Sequence, residues 1–373
     1  MHGKGYALDR IVLAYSGGLN ASVAIPWLAE THRAEVVCAT LDLGQGADLE
    51  SMRVRALAAG AVRAHVLDVR EEFARQYVLP LLQAGASFEG GTPLAQALGR
   101  PLIAKKMVEI ARIEGAATVA HACPACGHDG ARIGVLLRAL APDVTVVAAA
   151  SEANMGRAEA IEYARARGVP LPPGADGACA VDANLWGRSV RCSAPGHLPP
   201  QLPDEVYALT RDPLRSPDAP ASIDIEFERG VPAAVNGVPM PLADVIASIA
   251  TIAGVHGVGR IEVIDGGQDR ARTRLVCEAP AAVVLHQALE ELERHAVPPG
   301  LLRSKHDMSG RYAAVIDGGL WYSSEREAMD AVIATTQERV TGDVRIELHK
   351  GTSRVIGCRQ GLDGRQAGPG KGI

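Results

Sequence analysis

Ser16-Gly17-Gly18 interrupts the apolar run Ile11-Val12-Leu13-Ala14-Tyr15 and leads through Leu19-Asn20-Ala21-Ser22 into a helical pattern that reaches Glu30. A strand, a tight glycine turn and a helix start together make an anion site. The first N–H groups of a helix have no partner within it, and they carry the positive end of its dipole. Glycine lets the backbone approach a phosphate closely, and the Ser16 and Ser22 hydroxyls can add hydrogen bonds. The chemistry that suits this loop is the grip of a pyrophosphate. Ser-Gly-Gly is common in ordinary turns; its place after the first apolar strand of an alternating βα pattern is what favours phosphate. Neither Gly-x-x-x-x-Gly-Lys-Ser/Thr nor Gly-x-Gly-x-x-Gly stands here, which sets aside the common P-loop and disfavours a dinucleotide fold.

A second group follows His121: Ala122-Cys123-Pro124-Ala125-Cys126-Gly127-His128-Asp129-Gly130-Ala131-Arg132. The Cys-x-x-Cys can serve as a redox pair, half a zinc site or a sulfur carrier. No second pair with metal-ligand spacing occurs, so two small residues in a substrate loop is the preferred reading. Arg132 at a helix start can clamp a carboxylate with its planar fork, against the plainer reading of a solvated surface residue. Asp129 can hold an amine or cap the helix that begins near Gly130, and the two readings are equal. Asp182 and Asn184 suit the organisation of a turn, and His256 beside two glycines suits a structural role. Lys105 and Lys106 read as solvated helix residues.

These residues need elements to position them. Short buried strands are expected at Arg10–Tyr15, Glu35–Leu41, Ala64–Asp68, Ala117–His121 and Val144–Ala148. Helices are expected at Ala21–Glu30, Leu49–Ala59, Leu94–Glu114, Ala131–Leu140 and Ala158–Arg167. Such alternation implies a parallel sheet covered on both faces, with ligands beyond the carboxyl ends of its strands. Pro and Gly in Leu171–Gly177 read as a linker, and the boundary falls near 170. Val190 to Asp218 reads as irregular. Beyond it come strands at Ile223–Glu228, Ala233–Val235, Ile261–Ile264, Arg274–Cys277, Val344–Leu348 and Arg354–Cys358, with an Asn236-Gly237 hairpin turn. Helices at Leu242–Ala253, Ala281–His295 and Glu325–Thr336 complete an α+β domain. Residues 1–170 thus form one domain, 171–358 a second, and 359–373 a flexible Gly-rich tail.

With 373 residues, 47% hydrophobic and 22% charged, the chain suits a globular protein of two or three domains. Aromatic residues are only 3%, so Ala, Val, Leu and Ile must build the core. A net charge of -5 argues against a broad nucleic-acid surface. No membrane span or secretory h-region is read, which leaves a cytoplasmic protein as the default. Seven cysteines, an odd number, suggest free thiols rather than a disulfide frame.

Ala14-Tyr15-Ser16-Gly17-Gly18-Leu19 resembles the argininosuccinate synthase family. The likeness continues in order through Asp42-Leu43-Gly44-Gln45-Gly46, Arg100-Pro101-Leu102-Ile103-Ala104-Lys105, Asp182-Ala183-Asn184-Leu185 and Ala234-Val235-Asn236-Gly237. It ends through His256-Gly257-Val258-Gly259-Arg260, Tyr322-Ser323-Ser324-Glu325-Arg326-Glu327 and Val340-Thr341-Gly342. The resemblance implies an α/β fold: a parallel-sheet ATP-pyrophosphatase (adenine nucleotide alpha hydrolase-like) domain, then an α+β synthetase domain. It implies an AMP-forming ligase that joins citrulline to aspartate with ATP and Mg²⁺. The ATP site then comprises Ala14, Tyr15, Ser16, Gly17, Gly18, Leu19, Asn20, Ala21, Ser22, Thr40 and Ala122. The amino-acid site comprises Phe88, Pro124, His128, Asp129, Arg132, Ala180, Ser189, Asp265 and Cys277, with Asp129 and Arg132 in catalytic roles. No residue is assigned to a protein-bound metal. A homo-oligomer is implied. The Gly-rich end stands where the family has a helix that reaches across subunits, so a dimer or a looser tetramer is expected.

Departures from the family pattern gather at the amino-acid site. Asn20 and Ala21 replace an Asp and a Thr of the loop but leave its backbone donors. Pro124 stands for a Thr, His128 for an Asn, Phe88 for a Tyr, Ala180 for a Ser, Cys277 for a Tyr and Asp265 for a Glu, while Ser189 is kept. Each lost donor or acceptor weakens a site built for zwitterions. A different acceptor, a sulfur-transfer reaction or a nucleotide-binding relative without catalysis are therefore the alternatives.

Overall fold

The computed structural model describes residues 9–87, 91–124, 128–172, 179–193, 204–265 and 273–361. Phe88 and Cys126 lie outside them, and so do most of the expected linker and residues 362–373. The chain opens with β1 (Arg10–Ala14), α1 (Leu19–His32), β2 (Glu35–Asp42), α2 (Leu49–Ala58) and β3 (Arg63–Asp68). A helical stretch follows, α3 (Arg70–Phe73) and α4 (Leu79–Ala84), joined by a π-helical turn at Ala74–Val78. Then come α5 (Ala95–Glu114), β4 (Thr118–His121), α6 (His128–Leu140), β5 (Thr145–Ala148), α7 (Ala149–Ala153) and α8 (Arg157–Ala166).

The five strands form one parallel sheet in the order β3-β2-β1-β4-β5. β1 lies at its centre, where the strand order reverses, and such a switch point opens a crevice at the carboxyl ends. Every interior residue of β1 and β2 is buried, as a sheet covered on both faces requires. The register aligns Ala14 with Ala39 of β2 and with His121 of β4, so the loops after β1 and β4 leave the sheet at one level, while β2 runs three residues further to Asp42.

The second half runs β6 (Cys179–Asn184), β7 (Gly187–Ser193), β8 (Ala221–Glu228), β9 (Val231–Val235), β10 (Val238–Pro239) and α9 (Leu242–Val255). It continues with β11 (Arg260–Asp265), β12 (Thr273–Glu278), α10 (Pro280–Ala296), α11 (Pro299–Asp317), α12 (Ser324–Gln337), β13 (Gly342–His349) and β14 (Thr352–Gln360). Two antiparallel sheets result, β10-β9-β8-β13-β14 and β11-β12-β7-β6. Asn236 and Gly237 both take positive φ, 52° and 75°, the conformation that a two-residue hairpin with this dipeptide requires.

Chain contacts gather the molecule into two compact units. The first holds residues 1–69, 97–177 and 316–322; the second holds 70–96, 178–315 and 323–373. Both units are therefore discontinuous in sequence.

Several expectations are corrected. Val190–Ser193 is not irregular but completes β7, and Asp204–Val206 and Pro213–Arg215 are short 3₁₀ turns. β14 carries on to Gln360, two residues into the segment assigned to the tail. Cys179 and Cys192 form a disulfide: they sit opposite each other on β6 and β7 with Cα atoms 4.4 Å apart, within bonding reach. The 19-residue α11 has no counterpart in the sequence reading. Its charged residues hide its apolar positions, and one of them, Lys305, is buried in an ion pair with Glu293 of α10.

Glu278 ends β12 with no solvent exposure. Its carboxylate accepts from the backbone N–H groups of Ala208, Leu209 and Thr210, each at 2.9 Å, from the Thr210 hydroxyl at 2.8 Å and from Arg188 at 2.8 Å. It thereby fixes the 208–210 segment and Arg188 of β7 to one point. Glu278→Ala strands a buried cation and three N–H donors and should cost about 3–5 kcal/mol of stability, measured by urea unfolding; a loss under about 1 kcal/mol contradicts the anchor role.

His286 of α10 packs edge-on against Trp186, and its Nε2 is closed off from solvent without a partner among the described residues. Burial, aided by the charge of Lys305, lowers its pKa from 6.5 to about 4. Between those values the unfolded chain binds a proton that the folded chain refuses, so stability falls as pH drops through this window. The unfolding free energy of His286→Phe should fall less steeply from pH 6.5 to 4 than that of the parent; equal slopes would count against it.

Candidate active site

The loop after β1 is held from beneath. Tyr15 donates its backbone N–H to Ala39, 2.9 Å away, and accepts at its carbonyl from the Thr40 hydroxyl at 3.1 Å. Its buried phenol shares a 3.1 Å hydrogen bond with the Ser22 hydroxyl. Both hydroxyls are therefore spent inside the loop's own frame. Ser22, in the first turn of α1, is 1% exposed and packs into the core. Thr40 positions the loop through Tyr15. Ser16 is exposed.

Gly17 adopts φ +72°, a conformation that disfavours any other residue, and a β-carbon there would come within 2.8 Å of Met52. Gly18 caps α1 with no side chain of its own, and its N–H reaches the Ser16 hydroxyl at 3.5 Å. The following N–H groups of the first turn of α1 have no side-chain partner among the described residues, which is what an anion needs.

Arg55 of α2 was missed by sequence reasoning. Its Nη2 would lie 3.2 Å from a β-carbon on Gly17, and its charge acts on the Tyr15 phenol. Nη1 donates to the Ser51 hydroxyl at 2.7 Å, while Nε is buried without a partner among the described residues. A guanidinium so close beneath the glycine turn adds positive charge to the anion site. Its only sequence signal was a basic residue on the helix after the second strand.

At the end of β4, His121 is buried, and burial lowers its pKa despite the opposing charges of Glu152 and Asp129. The Cys123 backbone N–H donates to its Nδ1 at 3.4 Å, and Gly130 packs against its ring. Ala122 is half-buried beside the crevice, and Pro124 and His128 are exposed.

Asp129, in the first turn of α6, accepts from Arg100 Nη2 and Arg132 Nη1, each at 3.0 Å. Burial pushes its carboxyl up, but the two guanidinium groups outweigh it and hold the pKa below the ordinary value. Arg132 also donates from Nε to the Asp317 carbonyl at 2.6 Å and from Nη2 to the Asp317 carboxylate. Arg100 and Asp317 bore no role in the sequence reading. They lie 29 and 185 residues away from the residues they bind, a distance that no local pattern spans.

In the second unit, the register places Cys277 of β12 opposite Ser189 of β7, and Ser189 opposite Asp182 of β6. Ala180 stands two residues before Asp182, and Asp265 four residues after Ile261, the partner of Cys277. Alternation puts Ala180, Ser189 and Cys277 on one face of this sheet. Burial raises the Cys277 thiol to about 11, so it is protonated at neutral pH. Asn184 organises the β6–β7 turn, accepting from the Trp186 N–H at 2.9 Å and donating to the Ala95 carbonyl at 2.6 Å.

Two family models match the chain: the argininosuccinate synthase N-terminal HUP domain over residues 10–170 and the argininosuccinate synthase C-terminal domain over 179–362. The chain belongs to the argininosuccinate synthase family. It is similar to the argininosuccinate synthase of Rubrobacter xylanophilus, with 45% identity over 93% of this chain and 85% of that one. The enzyme of Geobacillus thermodenitrificans is 44% identical over 94% and 86%, and that of Oceanobacillus iheyensis 42% identical over 94% and 84%. Among the described residues no helix is long and apolar enough to cross a membrane. Nor does any group of three His, Cys, Asp or Glu among them form a metal-holding cluster. The family is ATP-dependent, and the Arg55 geometry makes a direct test on that nucleotide. Arg55→Met should weaken ATP binding about tenfold or more, the worth of a charge-assisted hydrogen bond of about 1.5–3 kcal/mol, while Arg55→Lys keeps most of it. Calorimetric titration with ATP reads this, and unchanged affinity in Arg55→Met would remove the residue from the site.

Proposed function

We propose that this chain is an ATP-dependent, AMP-forming carbon–nitrogen ligase of the argininosuccinate synthase type, joining citrulline to aspartate in arginine biosynthesis. One observation carries the reading: identity of 42–45% runs through both domains of the family, so nucleotide and synthetase halves come together. Residues 1–170 take the nucleotide and 171–358 the synthetase role, with 359–373 as the tail.

The ureido oxygen of citrulline attacks the α-phosphate of ATP and pyrophosphate leaves; the amine of aspartate then displaces AMP. Negative charge develops on the leaving pyrophosphate. The uncapped N–H groups of α1, its dipole and the Arg55 guanidinium are already aimed at that place and need no reorganisation when the charge appears. Holding both substrates beside the α-phosphate supplies the rest by proximity. Asp129 and Arg132 take the binding and orienting roles for the amino acids in the first unit, with Pro124 and His128 near them in sequence; Ala180, Ser189, Asp265 and Cys277 are the residues proposed for substrate in the second unit.

Mg²⁺ fits as a companion of ATP rather than as a caged ion. It binds substrate phosphates and waters with one or two protein oxygens, and the loop offers the Ser16 hydroxyl and the Asn20 amide oxygen. When bound it neutralises phosphate charge. The proposed setting is the cytoplasm, and the proposed assembly a dimer or tetramer of identical chains.

Another acceptor is the second reading, favoured by Ala180 and Cys277, which offer neither a hydroxyl nor a phenol on the sheet face that carries Ser189. Pyrophosphate release from ATP and Mg²⁺, with citrulline and aspartate added singly and together, separates the two. The expected outcome is release that requires both amino acids. ATP binding without such stimulation favours the second reading, and failure to bind ATP sinks both.

A further inference from the structure

Arg132 carries five N–H donors. Three are spent inside the protein: Nε on the Asp317 carbonyl, Nη2 on the Asp317 carboxylate and Nη1 on Asp129. One hydrogen on each Nη has no partner among the described residues. The segment that brings Asp317 here is fixed by two further contacts within the first unit. Gly319, at φ +73°, lies so close that a β-carbon would come within 3.0 Å of the Arg132 Cα and 3.1 Å of its carbonyl oxygen. Tyr322 donates its hydroxyl to the Pro101 carbonyl at 2.9 Å, on the helix that carries Arg100. Residues 316–322 are thus built onto the wall that holds Asp129 and Arg132, and only glycine fits at 319.

The four side chains balance. Arg100 and Arg132 supply two positive charges; Asp129 and Asp317 supply two negative ones. The side chains of Arg100, Asp129 and Arg132 are 12–15% exposed and that of Asp317 is 38% exposed, so like charges that meet on the inner side of the cluster are only partly screened. A substrate carboxylate arriving at the two remaining donors of Arg132 meets the Asp317 carboxylate, and within these four side chains no positive charge is left over. A neutral oxygen, from a ureido, amide or ester group, meets the same donors without that repulsion.

We propose that Asp317 is a specificity-determining residue, one that pre-empts the carboxylate-binding fork of Arg132 and selects an acceptor presenting a neutral hydrogen-bonding group there. The inference rests on the ligase reading and narrows its substrate class: a ureido compound whose carboxyl group is masked, or is held somewhere other than Arg132. Asp317 acts by repulsion, which is how sites reject near neighbours of their substrate.

The test uses the full chain, ATP, Mg²⁺ and aspartate, with citrulline and citrulline amide as paired acceptors. The quantity read is the ratio of kcat/KM for citrulline to that for its amide, from pyrophosphate release. Asp317→Asn keeps the backbone acceptor and the size of the side chain and removes the charge. It should raise the ratio at least tenfold, through KM for citrulline rather than through kcat. Asp317→Glu keeps the charge and should hold the parental ratio, which a merely structural role for the residue would not produce. A ratio within twofold of the parent in Asp317→Asn overturns the proposal. If the parent turns over neither compound, the same ratio is taken from dissociation constants measured with ATP present, and equal shifts for both acceptors, or no binding, overturn it. The requirement for both amino acids decides the ligase reading separately, so either can fail while the other stands.

Discussion

Everything at the nucleotide end depends on a few backbone N–H groups that the fold leaves without partners. A helix start would ordinarily be closed by a Ser, Thr, Asp or Asn side chain, at a gain of about 0.5–2 kcal/mol. Gly18 forgoes that gain. The surroundings then hold the open turn in place: Tyr15 is tied to β2 through Ala39 and Thr40 and to α1 through Ser22, while Gly17 fits only without a side chain. The hydroxyls of Ser22 and Thr40 thus brace the turn from within, and the groups it leaves open are those of the backbone.

The amino-acid end obeys the opposite rule. There the decisive groups are ionised side chains already neutralised by one another. Arg100, Asp129, Arg132 and Asp317 form an alternating chain of charge in which each carboxylate has a guanidinium. Buried charges persist only when paired in this way, because each alone would carry a large desolvation cost. A substrate entering such a chain meets charges that already have partners, which makes its own charge the quantity that matters.

How far the sequence revealed this depends on the range of the interaction. The parallel sheet was legible because β1 and β2 are unbroken apolar runs, and the Asn236-Gly237 turn because its dihedral angles admit few other residues. The role of Asn184 followed from its place between two strands. The 70–84 stretch and α11 were not legible. The first contains a π turn, and the second buries Lys305 where a pattern of apolar residues would be sought. The Cys179–Cys192 disulfide required the β6–β7 register, and the shared face of Ala180, Ser189 and Cys277 required the registers of two strand pairs. Asp317 is the limiting case, since a partner 185 residues distant leaves no trace in local composition.

The discontinuity of the units bears on how the protein is made. Residues 316–322 belong to the first unit, whose preceding segment ends at Gly177. At roughly 5–20 residues per second, a ribosome needs on the order of 10–30 s after residue 177 before that last piece emerges. Through this interval the nascent chain carries Arg132 without Asp317, and the backbone beside it without the cover of Gly319. A chain interrupted between the two domains would therefore deliver a nucleotide half with an unfinished wall, and the order of synthesis makes the charge at Arg132 among the last to be balanced.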